Sequence, residues 1–364
     1  MIIGVLGAGQ LARMLALAGK PLGLQFIFLD PAPESCAAEV GEHLQGAYTD
    51  RALLAQLAQR CDVVTYEFEN VPVEIIDLIA EQTPVYPPAK ALAVAQDRLL
   101  EKNFFRDLGI ATAPYAAVNS LAELERAISD IGWPAILKTR TLGYDGKGQA
   151  LTRSSEDLAG ALEQLQGAPA IVEGFVAFQR EVSIIAARSV SGAIVYYPLS
   201  ENQHRNGILR LAKSSANDPL QSEAEVIITR LLEALDYVGI LALELFDLNG
   251  HLVANEFAPR VHNSGHWTIE GSETSQFENH LRAILDQPLG DTATRGFAAM
   301  QNFIGGTPSL AEVLAIPKAH MHLYNKAPRK GRKVAHATLR ADNPEELAEQ
   351  VAVLKHLADQ SDDS

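Results

Sequence analysis

The chain is short of cysteine, of aromatic residues and of positive charge. Cys36 and Cys61 are its only cysteines in 364 residues, too few for a disulfide framework or a cysteine zinc site, and they suit a reducing compartment. Lysine and arginine total 30 against 45 aspartates and glutamates, a net charge of −15. Nucleic-acid binding needs clustered Lys and Arg, so a chain this acidic is a poor general binder. A small anionic substrate stays open to it, because one local basic pocket can hold that. No uncharged apolar run reaches the roughly 20 residues of a membrane helix, and the start, Met-Ile-Ile-Gly-Val-Leu-Gly, lacks the basic region of a signal peptide. The expectation is a soluble, cytoplasmic protein with no nucleic acid and no membrane among its partners. Hydrophobic residues make up 47% and charged residues 21%, which excludes disorder and places the chain among globular proteins. Its length suits two or three domains.

Apolar runs set the organisation. Strands are expected at Ile2–Leu6, Leu24–Leu29, Val63–Tyr66 and Thr83–Tyr86, with helices at Gln10–Ala18, Arg51–Gln59 and Val73–Ala80 between them. This β-α-β rhythm predicts a doubly wound parallel sheet over residues 1–95, closed by Pro87-Pro88. An amphipathic helix follows at Asp97–Leu108, then strands at Pro134–Thr139 and Ile171–Glu173. Val182–Arg188, Ala193–Tyr197 and Gly207–Lys213 read as an antiparallel sheet interrupted by a helix at about 222–235. The last stretch mixes short strands with a helix near Pro344–Leu357, and the tail from Asp359 is expected to fray.

Five constellations carry chemistry. Gly7-Ala8-Gly9-Gln10-Leu11-Ala12 is a G-x-G-x-x-A turn between a strand and a helix, with Asp30 about 20 residues on. It fits a dinucleotide, held at the helix N-terminus, or simply a tight turn. The second is Lys138, at a strand end, followed by Gly143-Tyr144-Asp145-Gly146-Lys147-Gly148-Gln149. Such a loop can fold over a triphosphate and offer it backbone N–H groups; it is no Walker loop, and the plainer alternative is a flexible hairpin with a surface lysine. The third is a hairpin around Asn249-Gly250 carrying Glu244, Asn255 and Glu256. A three-residue turn places the two glutamates opposite each other on one face, whereas a two-residue turn places them on opposite faces. Facing carboxylates repel unless a cation lies between them, and hard oxygen ligands beside a nucleotide suit magnesium. The fourth, Arg260-Val-His262-Asn-Ser-Gly-His266-Trp267, offers a fork donor and a candidate acid just after a metal-ligand candidate. The fifth packs five basic residues, Lys326, Arg329, Lys330, Arg332 and Lys333, into eight positions of an acidic chain; a charge run is usually a solvated face, and a phosphate-binding patch is the sharper reading.

Taken together these motifs resemble the ATP-grasp family and, within it, the 5-(carboxyamino)imidazole ribonucleotide synthases. The match runs from Gly4 to Lys333 and includes Tyr197-Pro198-Leu199 with His204, the string from Asn255 to Trp267, and Ser275-Gln276-Phe277-Glu278. Ala12, Lys330 and Ala335 depart from the usual pattern without removing a charge. The resemblance implies α/β and α+β architecture: an N-terminal doubly wound parallel sheet (1–95), a central ATP-grasp fold (96–295) and a small mixed C-terminal domain (296–364). It implies ATP contacts at Arg98, Lys138, the 143–149 loop, Glu173, Gly174, Phe175, Val176, Glu181, His204, Asn255 and Glu256, and magnesium at Glu244 and Glu256. Gly9, Gln10, Leu11, Arg332 and Lys333 would bind the ribonucleotide rather than a dinucleotide. Tyr144, Asp145, Lys147, Arg260, His262 and Lys326 would serve the chemistry. The implied partners are 5-aminoimidazole ribonucleotide, bicarbonate and ATP, in a homodimer. Rival readings are another ATP-grasp ligase with a different acceptor and an NAD-dependent oxidoreductase; the second leaves the 143–149 loop and the glutamate pair unexplained.

Overall fold

Alternating residues of the first strand face two different cores. The computed structural model describes residues 1–143 and 148–362. In it β1 (Ile2–Leu6), α1 (Gln10–Gly19), β2 (Gln25–Asp30), β3 (Glu42–Gln45), α2 (Arg51–Arg60), β4 (Val63–Tyr66) and α3 (Val73–Ala80) form a parallel sheet in the order β3-β2-β1-β4. Ile3 and Val5 pack with Leu11, Met14 and Leu15 of α1 on one face. Leu6, Leu29 and Val64 pack with Leu57 of α2 and Ile76 of α3 on the other. Helices on both faces are what an all-parallel sheet requires. β3 carries three polar residues in four, Glu42, His43 and Gln45, and gives no apolar run to read. The expected strand at Thr83–Tyr86 is a single bridge from Val85 to Val64. Pro84, Pro87 and Pro88 have no N–H to continue a ladder.

α4 (Ala89–Ala95) and α5 (Arg98–Asp107) lead into the middle of the chain. Asp97 caps α5 through the Leu99 N–H at 2.9 Å and is clasped by Arg140 at 2.5 and 3.0 Å. β5 (Tyr115–Val118), α6 (Leu121–Ile131), β6 (Ala135–Thr139), β7 (Gln149–Thr152), α7 (Asp157–Gln164) and β8 (Ala170–Gly174) make a four-stranded antiparallel sheet, β5-β8-β6-β7, backed by both helices.

The remaining strands join one large sheet. They are β9 (Arg180–Arg188), β10 (Ile194–Tyr196), β11 (Ser200–Arg205), β12 (Ile208–Ser214), β13 (Gly239–Leu248), β14 (His251–Ala258), β15 (Phe297–Ile304), β16 (His320–Leu323) and β17 (Lys333–Ala341), with β10 pairing β9 at its side. α8 (Gln221–Ala234) covers Ile184, Leu241 and Leu243 on one face. α10 (Gln276–Ile284) and α1 cover Ile185, Ile240 and Ala242 on the other. α9 (Thr268–Gly271) and α11 (Leu310–Leu314) are short connectors, and α12 (Pro344–Ser361) packs on β15 and β17. β15 pairs β12, so the last segment shares its sheet with the middle one. The expected fraying from Asp359 is overturned as far as Asp362: α12 runs to Ser361, and Arg210 grips Asp362 at 2.6 Å while Arg205 reaches Asp359 at 2.8 Å.

Candidate active site

The glutamate hairpin resolves the question of register. The turn is two residues long, Leu248 pairing with His251, with Asn249 and Gly250 at φ 56° and 83°. A regular ladder from that turn would set Glu244 against Asn255. Instead a β-bulge between Glu244 and Leu245 lets β14 gain one residue, and Glu244 faces Glu256. Bulges of this kind re-aim side chains beside active sites. The extra residue, Asn255, gives its carbonyl to the Lys102 ammonium at 2.7 Å.

The two carboxylates are held differently. Enclosure opposes ionisation of Glu256, but the Arg98 charge and hydrogen bond at 2.7 Å, with Lys138 and Lys102 nearby, keep its carboxyl below the usual range. Desolvation and the Glu256 charge push Glu244 up. Glu244 has His262 Nε2 at 3.4 Å. Burial, then the charges of Arg260 and Lys333, hold the His262 imidazole well below its ordinary pKa. Gln276 clamps the backbone of His262 on both sides, accepting from its N–H at 2.9 Å and donating to its carbonyl at 2.6 Å.

Beneath Arg98 lies a buried charge cluster. Glu173 on β8 meets Lys138 of β6 at 3.1 Å and Lys102 of α5 at 3.4 Å. Burial lowers the pKa of Lys138, and the Glu173 charge opposes that. Farther along β11, His204 Nδ1 lies 2.6 Å from Glu181. Burial opposes its protonation, yet the hydrogen bond to Glu181 and the Glu244 charge carry its pKa above the ordinary value. Phe178 stacks on Phe246 at 4.8 Å.

These groups share a cleft of about 700 Å³. Of the residues singled out from sequence, its wall includes Gln10, Leu11, Arg98, Lys138, Gly143, Gln149, Glu181, His204, Glu244, Asn255, Glu256, Arg260, His262, Lys326, Arg332 and Lys333. The basic run reaches back across the whole chain, with Lys326 hydrogen-bonded to Gln10. Gly9, Gly148, Glu173, Gly174, Phe175 and Val176 do not line it; Glu173 acts on it through Lys138, and Phe175 donates its N–H to the Pro134 carbonyl at 3.1 Å. Tyr144, Asp145, Gly146 and Lys147 lie outside the described residues.

Sequence reasoning missed Glu67 and Glu69. Glu67 accepts hydrogen bonds from the N–H groups of Gly9 and of Ala12, the latter at 2.9 Å. It thereby fills the anion position that the glycine turn offers a dinucleotide. A Cβ at Gly7 or Gly9 would stand within 3 Å of its side chain. Asp30 accepts from the Ala8 N–H at 3.0 Å and the Tyr48 hydroxyl at 3.1 Å. Glu69 pairs with Arg260 at 2.9 Å. The available signal was position: Glu67-Phe68-Glu69-Asn70 follows β4, and ligands gather at the carboxyl ends of parallel strands.

Known proteins share both the parts and the whole. Residues 1–96 match the ribonucleotide synthetase preATP-grasp domain, 103–277 the ATP-grasp domain, and 298–350 the phosphoribosylaminoimidazole carboxylase C-terminal domain. The N5-carboxyaminoimidazole ribonucleotide synthase of Pseudomonas aeruginosa is 54% identical over 98% of this chain and 99% of its own. The chain belongs to the N5-carboxyaminoimidazole ribonucleotide synthase family. A synthetase of that family from Thermus thermophilus superposes with a TM-score of 0.94, 54% identical over 98% of both chains. The Aspergillus clavatus synthase in complex with ADP and 5-aminoimidazole ribonucleotide superposes with a TM-score of 0.92 at 33% identity, over 99% of this chain and 98% of that one. Among the described residues, no helix is long and apolar enough to cross a membrane.

Proposed function

We propose that this chain carboxylates the exocyclic amine of 5-aminoimidazole ribonucleotide in an ATP-dependent step of purine biosynthesis, giving 5-(carboxyamino)imidazole ribonucleotide. The observation that carries the reading is one cleft joining the Glu244–Glu256 hairpin, Arg98 and Lys138 to the Gln10–Lys326 contact and the basic run. Bicarbonate is the proposed carbon source. It is a poor electrophile, since its charge repels an amine and hydroxide leaves badly. Transfer of the terminal phosphoryl group of ATP gives ADP and carboxyphosphate. That anhydride collapses to carbon dioxide and phosphate, and the amine attacks the carbon and gives up a proton. Phosphoryl transfer depends mainly on positioning and charge. Lys138, oriented by Glu173, is placed for that on the nucleotide side. Arg260, His262 and Lys326 are proposed to hold the carboxylate, and Arg332 and Lys333 the ribonucleotide phosphate. Tyr144, Asp145 and Lys147 keep the roles that the resemblance gives them.

The Glu244 and Glu256 oxygens fit magnesium, which takes one or two carboxylates and completes its shell with phosphate oxygens. When bound there it would neutralise charge on the transferring group. We also propose three domains, 1–95, 96–295 and 296–364, in a cytoplasmic homodimer. The family resemblance supports the dimer, and the free, buried Cys36 and Cys61 suit the compartment.

The test is phosphate release from ATP with magnesium and bicarbonate, with and without 5-aminoimidazole ribonucleotide. Strong stimulation by the ribonucleotide is expected. Folded protein that binds ATP and shows no stimulation would overturn the acceptor.

A further inference from the structure

His262 presents Nε2 to the cleft and turns Nδ1 back into the protein. Behind it stands a hydrogen-bonded column. The ring caps the 3-10 turn Asn263–Gly265, its Nδ1 accepting the Ser264 backbone N–H at 3.3 Å. The Ser264 hydroxyl lies 2.9 Å from the same nitrogen. Ser264 Oγ accepts from the Ser183 hydroxyl at 2.7 Å, and Ser183 Oγ accepts from the Asn202 side-chain amide at 3.1 Å. All three side chains behind the ring are buried. Ser183 on β9 and Asn202 on β11 sit on paired strands, so the sheet fixes the base of the column.

The Ser264 backbone N–H decides where the ring proton lies. A backbone N–H can only donate, so Nδ1 must hold a lone pair. The Ser264 hydroxyl shares that lone pair as a second donor, with the Ser183 hydroxyl and the Asn202 side chain behind it. A neutral imidazole carries one N–H, which therefore sits on Nε2, facing Glu244 and the cleft.

We propose that Ser264, backed by Ser183, is a positioning residue that fixes His262 as the Nε2–H tautomer, so that His262 donates a hydrogen bond to an oxyanion in the cleft and is not the base that receives the amine proton. The proposal rests on the carboxylation reading above. A preorganised donor aimed at oxygen charge that grows during reaction is an effective electrostatic device. A supporting hydroxyl that sets ring orientation and tautomer is what makes a histidine one.

The decisive experiment is a long-range proton–nitrogen correlation spectrum of the uniformly labelled full chain. His262 is assigned by its loss in His262→Gln. The expected pattern for the neutral ring is a proton on Nε2 and a bare Nδ1. A proton on Nδ1 overturns the proposal, and it does so whatever the enzyme turns over. Kinetics supply the second arm. His262→Gln keeps a side-chain N–H and is expected to retain at least about tenfold more kcat than His262→Leu, the factor that one hydrogen bond commands. Equal loss in both points to a base and refutes the donor role. Ser264→Ala removes the nearer of the two Nδ1 donors and leaves the backbone N–H, so it is expected to lower kcat by up to about tenfold with KM for ATP unchanged, and to broaden the His262 nitrogen signals without moving the proton to Nδ1. An unchanged spectrum and kcat in folded Ser264→Ala remove Ser264 from the role. If that variant does not fold, the wild-type spectrum and the two His262 variants still decide. A wild-type enzyme without ribonucleotide-stimulated turnover would instead sink the carboxylation reading, leaving the tautomer to be read on its own.

Discussion

Replacing Glu173 with glutamine tests the charge balance under the proposed nucleotide side of the cleft. The substitution keeps the side-chain shape and one carbonyl acceptor, and removes a single negative charge. Glu173 and Lys102 are 3% and 1% exposed, and Lys138 is 9% exposed. Lys102 would keep the Asn255 carbonyl, but Lys138 would lose the negative charge of its partner at 3.1 Å. Breaking a buried ion pair from one side costs about 3–5 kcal/mol, because the remaining charge is left uncompensated. Unfolding entropy of about 2.1 cal/mol/K per residue scales to about 0.8 kcal/mol/K for a chain of this length. The midpoint of a whole-chain thermal transition should therefore fall by about 4–6 °C. The assay is circular dichroism melting of the nucleotide-free protein near neutral pH, with Lys102→Met and the double variant alongside. Lys102→Met removes one of the two ammonium groups, so the double variant should lose less than the sum of the singles. A Glu173→Gln shift under about 1 °C, well below the worked value, or strict additivity in the double variant, would refute the argument.

Two other outcomes follow from the same geometry. Glu256→Gln should abolish ATP turnover while the circular dichroism spectrum stays native; wild-type-like turnover would remove Glu256 from the proposed metal pair. The His204–Glu181 pair should give a pH signature. His204 has a folded-state pKa above its ordinary 6.5, so its contribution is full below the unfolded value and fades as pH rises through the folded one. The gap in melting temperature between the wild type and Glu181→Gln should therefore narrow from about pH 6 to about pH 9. A gap that widens over that interval would contradict the assignment.

The parts of the fold that were legible in sequence are those with strong apolar period. β1 and β4 fall where short apolar runs put them, and α3 where helical spacing does. β3 and β11 escaped because their residues, Glu42-His43-Leu44-Gln45 and Ser200-Glu201-Asn202-Gln203-His204-Arg205, are mostly polar. β3 is an edge strand, and β11 turns polar side chains toward the cleft and the column behind His262. The hairpin shows a different limit. Its turn residues correctly suggested a tight connection, and turn length alone would have separated the two glutamates. The facing of Glu244 and Glu256 depends on one extra residue in β14, a feature that neither propensity nor pattern announces. Likewise the tail looked free because its composition is polar and acidic. Its anchors, Arg205 and Arg210, lie about 150 residues earlier and meet it only in the folded chain.

The glycine turn at the N-terminus separates two things that a motif usually joins. Gly7 at φ 108° and Gly9 do build the strand-to-helix turn of a dinucleotide site, and the helix behind them presents free N–H groups. Glu67 answers those groups from within the chain, so the turn's electrostatic demand is already met. A pyrophosphate entering there would have to displace a carboxylate held by two backbone donors and would meet its charge. Positive charge lies instead on the run from Lys326 to Lys333, the proposed phosphate site, which folds back until Lys326 touches Gln10. The acidic chain thus sets four residues of this basic run, Lys326, Arg329, Arg332 and Lys333, on the wall of the cleft, and the turn that suggests a dinucleotide contributes Gln10 and Leu11 to the same wall.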